Sequence, residues 1–109
     1  VDTNPWVTGA ETCELVMSLD ALGDRERALE LYSDMQHLRG ERGRYWTGSV
    51  HPEHVMWPNE QTSYTAAAVI LAADELSRTT PGGGIMAGDT LADHFAELGQ
   101  DCGCHQARV

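Results

Sequence analysis

Two glutamates hold positions where a pair of carboxylates does acid–base chemistry. Glu11 follows Trp6 by five positions and Glu60 follows Trp57 by three, each beside the expected start of a helix. In a stack of helical hairpins both would reach one cavity, one carboxyl serving as acid and the other as base. In glycosidases the spacing of such a pair, about 5–5.5 Å or about 6.5–9.5 Å, separates retention from inversion. A structural reading stands beside the catalytic one. Acidic groups favour the positive ends of helix dipoles, and Thr8 with Glu11 has the spacing of a capping box. Trp6, Tyr45, Trp46, Trp57 and Tyr64 gather around the same helix starts. Aromatic walls suit carbocations by cation–π attraction, and sugars or isoprenoid chains by apolar contact. The alternative is that they pack a loop onto helices. Trp6, Trp46, Trp57 and Tyr64 are the expected substrate wall.

Other groupings carry less. His51 and His54 flank Pro52 in a loop, and Pro52 disfavours the helical geometry that would align them on a metal. Cys102, Cys104 and His105 suit Zn²⁺, but a structural site needs about four ligands, and the fourth would come from as far as His94 or Cys13. No metal and no cofactor is assigned. Thr47 and Ser49 neighbour His51, with neither a nucleophile elbow nor an orienting acid in view. Gly82, Gly83 and Gly84 lack the Lys-Ser/Thr that completes a phosphate loop; they read as a flexible exit from a helix.

The elements that must position these groups read as helices. A first spans about 10–22, with Thr8 as N-cap and an apolar face of Cys13, Val16, Met17 and Leu19. Gly23 stops it and Asp24 caps a second over about 25–39, with Ala28, Leu31, Tyr32, Met35 and Leu38 inward and Gly40 at its end. So short a turn implies an αα-hairpin. Residues 41–60 hold Gly, Pro and aromatics without helical period, which predicts a long loop with a short strand around 44–50. A third helix over about 61–77 has an apolar centre, Ala66–Ala73, that calls for cover on most sides. A fourth would start at Asp89, with Leu91, Phe95 and Leu98 inward, ahead of a loose tail. The offsets between Trp6 and Trp57 and between the two helix ends suggest a weak repeat near 50 residues.

With 109 residues, 41% hydrophobic and 22% charged, the chain has the composition of one small folded domain or part of a larger one. Its formal net charge of −10, with seven bases that are all Arg, argues against nucleic-acid and anionic membrane partners. No run is long enough to span a bilayer. The start at Val1 shows no signal-peptide pattern and no initiator Met, the expectation of a processed or partial chain. Three cysteines do not make a disulfide scaffold, so a cytoplasmic setting is expected.

Four blocks in order, Pro5–Glu14, Ala21–Leu31, Tyr45–Gly48 and Trp57–Glu60 ahead of Thr65–Ala68, resemble the C-terminal end of bacterial prenyltransferase-like proteins. Those carry (α/α) toroid repeats of the terpene-cyclase and squalene-oxidase type. The resemblance covers about residues 6–86. It implies an all-α fold: two αα-hairpins with a Trp/Gly/Pro-rich loop, part of a closed helical ring, with residues 87–109 as a short helix and tail. It also implies a contribution to the cavity wall for an apolar, isoprenoid-type small molecule, in a parent protein larger than this chain. The Asp-rich motif of terpene cyclases and the zinc ligands of protein prenyltransferases do not appear here. Two other readings stay open. One is a helical interaction module of tetratricopeptide type, suggested by Ala21–Tyr32, with self-association through the apolar third helix. The other is a piece of a glycosidase-like six-hairpin enzyme in which the same carboxylates act on a sugar.

Overall fold

The computed structural model describes residues 4–88. Its elements run β1 (Trp6–Thr8), α1 (Gly9–Ala21), α2 (Arg25–Asp34), two 3-10 turns (Met35–Leu38 and Glu41–Gly43), β2 (Gly48–Val50), β3 (Val55–Met56) and α3 (Ser63–Ser77). The expected fourth helix and the Cys102, Cys104 and His105 group lie outside the described residues.

The fold is mixed α/β, which corrects the all-α expectation. β1, β2 and β3 form a three-stranded antiparallel sheet in that order, with Trp6 opposite Val50, Thr8 opposite Gly48, and Ser49 opposite Met56. The strands are two or three residues long, too short for a period-two pattern to stand out. Residues 6–8 read as the lead-in to a helix, yet they pair with a partner more than 40 positions away. What reads as a loop over 41–60 therefore contains two strands of the sheet, and the peptide bonds before Pro52 and Pro58 are cis.

The first hairpin is present. Gly23, at φ 90°, makes the turn, and the Asp24 carboxylate accepts from the Arg27 amide at 3.3 Å. α2 stops at Asp34, earlier than its apolar stripe suggests, and tightens into the 3-10 turn over Met35–Leu38. Met35 and Leu38 remain buried in that turn, and the Leu38 carbonyl accepts from the Trp46 amide at 2.9 Å. The inward side chains are thus kept while the backbone is redirected towards the sheet. Among the described residues no second αα-hairpin forms. α3 instead packs on α1, and less extensively on α2.

The core joins Cys13 and Val16 of α1, Ala28 of α2, Met35 and Leu38 of the turn, and Ala68, Val69, Ala72 and Leu76 of α3. α3 starts behind Thr62, whose hydroxyl accepts from the Thr65 amide at 3.2 Å. One face of its apolar centre is covered and the other is not: Ile70 and Leu71 are 68% and 50% exposed.

A buried acid ties the helix ends. Asp20 accepts from Arg25 at 3.2 Å and from Arg78 at 2.9 Å, and Arg25 also donates to the Leu76 carbonyl. Glu75, also buried, turns its carboxylate to the glycine-rich exit and accepts from the Gly84 and Ala87 amides, each at 3.0 Å. This segment is a succession of anchored turns, not the flexible exit its composition suggests.

Candidate active site

The sheet and the two helix starts meet at Thr47. Its carbonyl accepts from the Gly9 amide at 2.9 Å, where α1 begins. Its amide donates to the Glu60 carbonyl at 3.1 Å, and its hydroxyl reaches the Glu60 carboxylate at 3.2 Å. Glu11 is held one step away. The Thr8 hydroxyl donates to the Glu11 carboxylate, so the pair does not close the expected capping box, and Thr8 makes no side-chain bond to a helix amide. Thr8 pairs with Gly48, next to Thr47. Both candidate carboxylates are exposed and each is anchored by a threonine on the same β1–β2 junction.

The four expected wall aromatics do not form one wall. Trp6 and Trp57 meet edge to face, with ring centroids 5.3 Å apart, and the Trp6 indole N–H donates to the Trp57 carbonyl at 2.7 Å. A Cβ at Gly48 would lie 2.6 Å from the Val7 carbonyl and 2.7 Å from the Trp6 indole nitrogen, so only glycine admits this ring. The two indoles, with Val50, Glu53 and Val55, line a cavity of about 380 Å³. Tyr64 lies elsewhere, in a groove of about 750 Å³ between α1 and α3, with Glu14, Ala68, Leu71 and Met86. Its hydroxyl donates to Glu14 at 3.4 Å, and the Glu14 charge, with some desolvation and the Glu11 charge, pushes the phenol above its usual range. Trp46 borders a third cavity.

Three imidazoles from distant positions also meet. His37 lies in the 3-10 turn, and its ring centroid is 4.3 Å from that of His54 and 6.5 Å from that of His51. His37 Nδ1 lies 2.8 Å from the Asp34 carbonyl oxygen, and Nε2 lies 2.8 Å from Ser49 Oγ. A carbonyl only accepts, so Nδ1 carries the proton and the neutral ring accepts from Ser49 through Nε2. The base partner of Ser49 is therefore His37, not the neighbouring His51. Ser49 is fully buried and no substrate reaches it. Among the described residues no group of three His, Cys, Asp or Glu is arranged to hold a metal ion. His37 escaped notice in the sequence because it reads as the solvent side of a longer helix.

No family model matches the chain. The chain is 58% identical over 104 residues to a protein of Mycolicibacterium hassiacum named MMP endo-(1,4)-3-O-methyl-alpha-D-mannosidase. The match takes in 95% of this chain and 29% of that protein, so the chain spans under a third of the relative's length. This overturns the resemblance to prenyltransferase-like proteins and the transferase reading that came with it, because so close a relative is named a glycosidase. The earlier resemblance rested on short Trp-, Gly- and Ala-rich blocks, which report helical repeats and not chemistry. Among the described residues no helix is long and apolar enough to cross a membrane.

Proposed function

We propose that this chain is part of a glycosidase acting on a mannose-containing polysaccharide, and that Glu11 and Glu60 supply its acid and base. The observation that carries the reading is the 58% identity, along nearly the whole chain, to a protein named an endo-mannosidase. The threonine-anchored carboxylates support it. Glycoside hydrolysis needs one carboxylic acid to protonate the leaving oxygen and a second carboxylate to activate water or attack the sugar. Glu11 and Glu60 stand on the same junction, each oriented by a threonine hydroxyl. The Trp6–Trp57 pair offers an apolar platform for a sugar face, and its cavity adds the Glu53 carboxylate for a hydroxyl group. An O-methylated sugar would suit the flanking Val50 and Val55. The cytoplasmic setting expected from the cysteines belongs to this reading.

The rest of such a protein would cover the exposed half of α3. The groove between α1 and α3 is floored by Ala21, Ala67 and Ala68, small residues that let another helix approach closely. Self-association through this face is the second reading, favoured by the exposure of Ile70 and Leu71.

The test uses a protein that contains this chain within the full length of its relative. Hydrolysis of 3-O-methyl-mannose oligosaccharides is followed by the release of reducing ends. Glu11→Gln and Glu60→Gln should each lower kcat by roughly 10²–10⁴-fold. Full activity in both variants removes the two glutamates from the chemistry. A protein that cleaves no mannoside removes the class.

A further inference from the structure

We propose that the cavity beside Trp46 binds the oxyanion of a small ligand, a carboxylate or a phosphate ester. This site is distinct from the Trp6–Trp57 platform and goes beyond the hydrolase reading. The cavity, of about 490 Å³, is lined by Gly40, Glu41, Arg42, Arg44, Trp46 and Gln61. It gathers two of the seven bases of a chain whose net charge is −10. Among the described residues neither Arg42 nor Arg44 has an ion-pair partner, whereas Arg25 and Arg78 are both paired with Asp20. A guanidinium is a rigid fork of donors that matches carboxylate and phosphate oxygens.

Two further donors converge on the same place. A Cβ at Gly40 would sit 2.7 Å from the Gln61 amide nitrogen and 3.1 Å from the Trp46 indole nitrogen. The missing side chain of Gly40 thus lets two N–H groups from different segments approach the backbone there. Neither side chain has a hydrogen-bond partner among the described residues. Arg42 is held at φ 60°, a conformation that non-glycine residues seldom adopt and that recurs at functional sites. Glu41, exposed like Arg42 and Arg44, is the one acid in the lining. The Arg44 carbonyl, 3.4 Å from the same Cβ position, is taken by the Gly40 amide, so two guanidiniums and two N–H donors outnumber the one carboxylate and favour an anion. A neutral sugar hydroxyl can accept from these donors but leaves the two positive charges uncompensated. Gln61 and Trp46 adjoin Glu60 and Thr47 in sequence.

The proposal is tested on the whole chain by following the indole N–H signal of Trp46 in NMR, with inorganic phosphate and acetate as probes and potassium chloride at matched ionic strength as the control. Saturable movement of the Trp46 signal is expected with phosphate, acetate or both. Phosphate alone assigns a phosphate ester and acetate alone a carboxylate. Arg42→Gln with Arg44→Gln should weaken binding at least about tenfold, while Arg27→Gln, on the exposed face of α2, should leave it unchanged. Undisturbed Trp6 and Trp57 signals certify that the double variant is folded. No saturable movement, an equal response to chloride, or wild-type affinity in the folded double variant would each overturn the proposal.

Discussion

Cys13 shows how burial sets the chemistry of one residue. It is fully enclosed on α1 in the company of Val16 and Ala72, and desolvation pushes its thiol up to about 11. The folded state then holds this proton to higher pH than the unfolded chain, whose cysteine titrates near roughly 8.5. The stabilisation is whole below that value and is lost as pH rises through about 11. Thermal melts at pH 7, 9 and 10.5 should show a decline that Cys13→Ala lessens, and iodoacetamide at pH 8 should label Cys13 only on unfolding. Gly48→Ala tests the platform: its methyl would meet a backbone carbonyl and the Trp6 ring, at a cost of about 1–3 kcal/mol. Trp6 fluorescence should shift with it; an unchanged melt and spectrum would show that the strand yields freely. Single residues were legible where chemistry is local. Of the four aromatics expected in one wall, Trp6 and Trp57 stand edge to face. Trp46 and Tyr64 border other cavities, since nothing in a residue type says which side of a strand or helix it will take.

At the scale of elements, α1 and α2 were readable because each has a helical apolar face and a capped or glycine-ended boundary. Of the sheet only β2 was, inside the strand expected around 44–50; β1 and β3 were not, because such short strands depend on pairing between distant positions. The 3-10 turn was hidden for a related reason: Met35 and Leu38 keep helical spacing while the hydrogen-bond pattern changes around them. The helix ends are joined by Asp20, which no pattern announces. Asp20→Ala should cost about 2 kcal/mol, or roughly 10 °C in Tm for a domain of this size. That is less than the roughly 3–5 kcal/mol for a fully buried pair, because the Arg25 and Arg78 side chains are 52% and 37% exposed. A change below about 0.5 kcal/mol, the ordinary scatter of surface substitutions, would show that water replaces the carboxylate without loss.

For the molecule as a whole, the apolar composition of Ala66–Ala73 was a sound guide to what is left uncovered, though it misled on the architecture around it. Covering that face is a matter for additional protein, so the chain by itself should bind a hydrophobic dye and sediment heavier as its concentration rises. Leu71→Glu should lower both signals with little change in Tm, because Leu71 is half in solvent already. Dye binding equal to that of an ordinary small domain would place the missing cover elsewhere. The Glu75 carboxylate sets a contrasting expectation for the opposite end of α3. A stretch that contains three successive glycines would ordinarily swap its amide protons for deuterium almost at once. With the Gly84 and Ala87 amides bonded to a buried acid, deuterium should enter there as slowly as into a helix, and Glu75→Gln should open that gate.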